Sequence, residues 1–206
     1  MCQAEGVSEV TSFAERTKAS LRETLLEAAT GLLAEHGQAG LRMADVAAAA
    51  GVSRQTVYNE FGNKTALVEA IALRTTAEFL DGIRTRFESA ADLLAGIHRA
   101  VVYTIEHGRE HQLVSAALTT RAGEDLLPLL TTKGAPVLAA ASELGATHYR
   151  EIEPRLDQPA AELLAETVTR LVLSHLVLPT HSATEAAGLV CAAVAPLIDH
   201  HLSTME

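Results

Sequence analysis

Apolar residues recur along this chain at helical spacing almost from end to end. The pattern predicts an all-α protein of about nine helices with almost no strand. Residues 1–16 carry no periodicity and are expected to form a flexible N-terminal arm. A first helix is expected from Thr17 or Ser20, with Ser20 and Glu23 spaced as a capping box and Leu21, Leu25, Ala28, Ala29, Leu32 and Leu33 as its stripe, ending at Gly37. Met43, Val46, Ala47 and Ala50 then fall at i, i+3, i+4 and i+7, and Gly51 stops that short helix. Ser53 is placed to cap the next one, Val52 and Val57 to form a hydrophobic staple, and Val57 and Phe61 to form its buried side. From Asn63 a long helix opens at Lys64 and carries Leu67, Val68, Ile71, Phe79 and Leu80 to about Arg86.

The rest of the pattern is a helical body. Two helices are expected over 91–121, with a bend near Gly108, and then a segment, 121–136, in which two glycines and two prolines break the path and could act as a gate. A further helix runs from Val137 to Ile152. The last two, Ala160–Leu178 and Ala183–Leu202, are apolar over more than one stripe, as helices are when one side meets the body and another a partner.

The second short helix carries distinctive chemistry opposite Val57 and Phe61. Asn59 and Gln55 centre that face, Tyr58 and Thr56 flank it, and Arg54 leads. Arg can bond O6 and N7 of guanine, Gln or Asn can bond N6 and N7 of adenine, and the Thr methyl can pack on thymine. Two helices held across a glycine turn place such a face in the major groove of double-stranded DNA. Arg42, Ser53 and Lys64, at three helix starts, are candidates for phosphate.

The stretch Leu41–Lys64, together with the preceding LLAEHG, resembles the TetR family of transcriptional regulators through its ADVAAAAGVS turn, its TVYNEF and the NK that opens the long helix. The resemblance implies a three-helix helix-turn-helix DNA-binding head (17–63) on a ligand-binding and dimerisation body (64–206). It further implies a homodimer paired through the last two helices, bound to a near-palindromic operator and released by a small molecule. Three positions depart from the family pattern. Arg42 stands at a usual Ser or Thr cap, Gln55 at a usual small residue, and Glu60 at a frequent histidine, where its carboxylate needs a cation such as Lys64 beside it.

Composition changes this picture little. The net charge of −10 looks wrong for a DNA binder, but residues 1–66 hold six basic and eight acidic side chains and the remainder ten and eighteen. The acidity therefore lies mainly in the body, which need not approach DNA. Aromatics are only 3%, so the core must be built from Ala and Leu, and an aliphatic, lipophilic effector is expected over a flat aromatic one. Cys2 and Cys191 give no metal or disulfide spacing, and the start has no signal-peptide character, so a cytoplasmic protein with no membrane partner is expected.

The nine histidines suggest chemistry that the spacing does not complete. His107 and His111 lie four apart but lack a spaced third ligand, so no metal site is expected. No phosphate loop, activated nucleophile or carboxylate pair gives an enzyme an anchor, so no catalytic residue or cofactor is expected. An effector pocket is expected in the body, lined by Ile97, Val101, Leu118 and Leu138 with His98, Tyr103, Arg121, Tyr149 and His175 as polar contacts. The alternatives are a DNA-binding regulator controlled by a partner protein or acting as an activator and, more remotely, a helical enzyme fused to a DNA-binding head.

Overall fold

The computed structural model describes residues 13–88, 90–120 and 124–203. Among them it has nine α-helices and no strand. In chain order these are α1 (Phe13–Gly40), α2 (Met43–Ala49), α3 (Arg54–Phe61), α4 (Lys64–Glu88), α5 (Leu93–Glu110), α6 (Gln112–Thr119), α7 (Ala135–Ile152), α8 (Gln158–Val177) and α9 (Ala183–Ser203). A 3-10 turn, Leu127–Leu130, lies between α6 and α7.

Local chemistry sets most of the boundaries. Gly37 breaks α1 with φ 67° and ψ 178°, and Gly51 turns α2 into α3 at φ 67°, a left-handed value that a Cβ would strain. Side chains of Ser53, Asn63, Asp92 and Asp157 accept hydrogen bonds from the first-turn amides of α3, α4, α5 and α8. Arg42, by contrast, makes no side-chain cap on α2.

Three expectations are corrected here. Helix α1 already runs from Phe13, so the last residues of the expected arm are helical; residues 1–12 lie outside the described residues. Ser20 and Glu23 form no capping box. Ser20 is inside α1, where its carbonyl accepts from Thr24 Oγ1, and Glu23 instead pairs with Arg74 of α4 at 2.8 Å. The run FAERTKAS holds no helix breaker, so the helix simply starts earlier than the stripe that it buries. Gly108 does not mark the bend either. It lies within α5 against Leu176 of α8, where an added Cβ would sit 2.6 Å from Leu176 Cδ1, and the chain turns only at His111.

Two apolar cores result. The head core gathers Leu25, Leu33, Val46, Val57, Leu67 and Ile71, all fully buried. It also takes in Leu113, Ala116 and Ala117 of α6 and Leu126 of the loop beyond. The body core is built by α5, α7, α8 and α9, with Ile97, Ile105, Ala161, Ala187 and Val194 fully buried.

Polar links also cross from head to body. Arg74 holds both Glu23 and Glu78, and Glu78 reaches His111 Nε2 at 3.5 Å. The His111 ring is otherwise enclosed, with Nδ1 buried and unbonded, and desolvation lowers its pKa more than Glu78 raises it. The neutral ring is thus the folded form. Because the unfolded chain binds this proton more readily, stability at this site is full above about pH 6.5 and falls as pH drops below it. Melting curves at pH 5.5 and 7.5 are expected to converge in His111→Gln relative to wild type; an unchanged difference would remove His111 as its source.

Candidate nucleic-acid interface

Helix α3 separates its faces by burial. Val57 and Phe61 are buried in the head core, while Ser53, Arg54, Gln55 and Asn59 are exposed and Thr56 and Tyr58 half-buried. The predicted polar residues therefore share one solvent face. They are also paired along the helix. Arg54 Nη2 donates to Tyr58 Oη at 3.1 Å with its guanidinium 5.2 Å from the ring centroid, and Gln55 Nε2 donates to Asn59 Oδ1 at 2.8 Å. The Tyr58 hydroxyl holds the guanidinium pKa above its usual value, so the cation is permanent. Such i,i+4 pairs reduce the freedom that each side chain would lose on meeting a base. The Ser53 hydroxyl, bonded to Thr56 N and Thr56 Oγ1, is committed to the cap.

The neutraliser of Glu60 is corrected. Its carboxylate, only 12% exposed, accepts from Arg22 Nη1 of α1 at 2.8 Å, and the same guanidinium lies 4.8 Å from the Phe61 ring centroid. Lys64 is elsewhere. Its Nζ donates to Gln38 O at 2.9 Å and Ala39 O at 3.4 Å, closing the end of α1. Arg22 was not singled out from the sequence, and a pair 38 residues apart leaves no local signal.

A cavity of about 150 Å³ lies in the body beside the head. Its wall includes Thr76, Phe79, Leu80 and Ile83 of α4, Val101 and Thr104 of α5, Leu126, Leu129 and Leu130 of the loop, and Tyr149 of α7. Of the predicted pocket residues, it brings together only Val101 and Tyr149. Ile97 is fully buried in the body core, because α5 is apolar on two faces and this one meets α8 and α9. His98 and Tyr103 line a separate open cleft with Arg86 and Glu106. Leu118, Leu138 and His175 are half-buried away from the cavity, and Arg121 lies outside the described residues. The main omission was α4, whose apolar residues served as core in the sequence reading. Thr75 and Thr76 on that stripe were the available signal.

Among the described residues no group of three His, Cys, Asp or Glu could hold a metal, and the His107–His111 pair packs instead on Phe79 at ring distances of 4.9 and 5.6 Å.

Comparison with known proteins places this geometry. Residues 25–71 match the family described as bacterial regulatory proteins, tetR family, and residues 92–196 match the bacterial tetracyclin repressor C-terminal domain. The chain is 29% identical over 190 residues to the HTH-type transcriptional regulator AlkX of Mycobacterium tuberculosis, covering 92% of this chain and 90% of that protein. It superimposes on the TetR family repressor AlkX of Dietzia sp. strain DQ12-45-1b, implicated in biodegradation of n-alkanes, with TM-score 0.69 and 29% identity over 87% of this chain and 95% of the other. SmeT, the repressor of the Stenotrophomonas maltophilia multidrug efflux pump SmeDEF, shares the fold alone, with TM-score 0.57 and 20% identity over 85% and 89% of the two chains. With a helix-turn-helix head and a helical body both matched, the chain belongs to the TetR family of DNA-binding transcriptional regulators and is not an enzyme.

Proposed function

We propose that this regulator is a repressor, released from a palindromic operator when a small lipophilic molecule enters the body cavity. The observation that carries the proposal is the position of Leu126. It lines the cavity and is also part of the head core, at 1% exposure. Beside it, Asp125 Oδ2 accepts from Ala39 N, near the end of α1 that Lys64 closes. Helix α4 runs from the head into the cavity wall, so a ligand that displaced either element would tilt α3. A ligand that prefers the tilted state must weaken DNA by the same factor by which DNA weakens it. The implication of the Dietzia relative in n-alkane biodegradation agrees with an aliphatic effector.

In this reading residues 17–63 are the DNA-binding unit, with Arg54, Gln55, Thr56, Tyr58 and Asn59 facing bases and Arg42, Ser53 and Lys64 near phosphate. Lys64 has three N–H donors, so a phosphate contact is compatible with its bonds to α1. Residues 64–206 bind the effector and pair two copies in the cytoplasm. The apolar surface of α8 and α9 supports the pairing, for Leu163 and Leu189 remain 51% and 47% exposed. By length and composition α9 could cross a membrane, but its share of the body core and a second copy of the chain account for its apolarity as well.

Selection of bound DNA from a random pool, followed by a panel of lipophilic compounds, tests the proposal. A palindromic site is expected, and a true effector both raises the melting temperature and releases that site. If no compound does both, control by a partner protein or activation takes precedence.

A further inference from the structure

The cavity's lining is apolar to an unusual degree. Among the described residues no charged side chain and no histidine borders it, and its polar members are four threonines and Tyr149. Three of the four are already committed, since Thr76, Thr104 and Thr169 donate to Ala72 O, Ala100 O and Ala165 O of their own helices. These present methyl groups, not donors, to the space. Thr75 sits on α4, where the wall is half-buried.

Tyr149 is different. The side chain is 3% exposed, wedged edge-on against Phe87 at 5.6 Å, and its hydroxyl has no hydrogen-bond partner among the described residues. The oxygen is not sealed, for the enclosed unbonded atoms are His111 Nδ1, Ser142 Oγ and His148 Nε2. It lies beside Gly145, where an added Cβ would be 3.6 Å from the hydroxyl, and Gly145 and Phe87 also border the cavity. Burial pushes the phenol's pKa well above its usual value, so it remains an O–H donor. A water there would need two to four polar partners, and besides Tyr149 only Thr75, on α4, has a hydroxyl not already bonded. A buried donor left unbonded in a dry apolar space is costly for the protein by itself and is answered by a ligand acceptor.

We propose that the cavity takes a neutral aliphatic chain ending in a single oxygen, an alcohol or aldehyde, seated with that oxygen accepting from the Tyr149 hydroxyl. This rests on the cavity being the effector site and narrows what enters it. A carboxylate is disfavoured because its charge would be desolvated with no cation among the described residues of the wall. A plain alkane fills the same space but leaves the donor unpaired.

The test uses the full-length protein and three probes of equal chain length, 1-octanol, n-octane and octanoate, with wild type and Tyr149→Phe. Wild type is expected to bind octanol about fivefold more tightly than Tyr149→Phe does, the worth of one neutral hydrogen bond, and to bind octanoate more weakly than octanol. Tyr149→Phe removes one oxygen from the cavity wall, so the variant without ligand should melt no lower than wild type. It should bind octane unchanged and octanol about fivefold more weakly than wild type does, because the ligand hydroxyl is then buried without a partner. Octanol binding that survives the substitution, a preference for octanoate, or a lower melting temperature of the ligand-free variant would each overturn the assignment. If octane and octanol both release DNA but Tyr149→Phe changes neither, only this inference fails. If no probe binds wild type, the effector reading of the cavity fails with it.

Discussion

Arg54→Ala is expected to weaken operator binding by roughly 30-fold to 10⁴-fold, since a bidentate arginine–guanine contact is worth about 1–3 kcal/mol and a dimer loses one at each half-site. The fold should not register the change. Arg54 is exposed at the start of α3, and its bonds within the protein are to Tyr58 in the same helix. Titration of a labelled operator fragment at fixed salt gives the affinity, and a melting curve provides the control. Binding within twofold of wild type would move the reading face away from Arg54. Tyr58→Phe should give a smaller loss in the same direction, because it removes the hydroxyl that holds the guanidinium without removing the cation itself.

Leu126→Ala is expected to cost about 2–5 kcal/mol of stability, the usual range for emptying a fully buried leucine site. For a chain of this size that corresponds to a melting temperature lower by roughly 4–20 °C. A second consequence separates it from an ordinary core substitution. Leu126 belongs to the head core and to the cavity wall, so the variant should still bind a ligand yet transmit less of it to the head. The ratio of operator affinities with and without ligand should therefore fall. Leu33→Ala, which empties a fully buried site in the same core away from the cavity, should lower the melting temperature without that loss of coupling. Equal coupling in the two variants would mean that the ligand signal reaches α3 by α4 alone.

What was legible in the sequence was what neighbours in the chain decide. The Ser53 cap, the Gly51 turn, the buried Val57–Phe61 side and the exposed Arg54–Asn59 face are set by residues within about a turn of one another, and the structure reproduces each. The family resemblance rested on that same stretch, and the matched families bear it out. The cavity was not legible in the same way. Ile97 and Val101 lie on one stripe of α5 and both enter the body core, yet only Val101 also borders the cavity, because α8 and α9 close over one and α4 and α7 leave space beside the other.

The charges divide along the same line. That Glu60 needed a cation followed from its type and position; that Arg22 supplies it, 38 residues away and stacked on Phe61, depends on how α1 lies across α3. Lys64 began as a phosphate candidate and is anchored to the end of α1. By itself, then, the sequence determined the helices, the exposed polar side of α3 and the family, because short-range hydrogen bonds and a 3.6-residue period set these. Only the tertiary structure decided the partners of Glu60 and Lys64, the attachment of α6 and Leu126 to the head, and the wall around Tyr149. Each depends on which helices meet, and the periodicity of any one helix says which side it buries but not what it meets there.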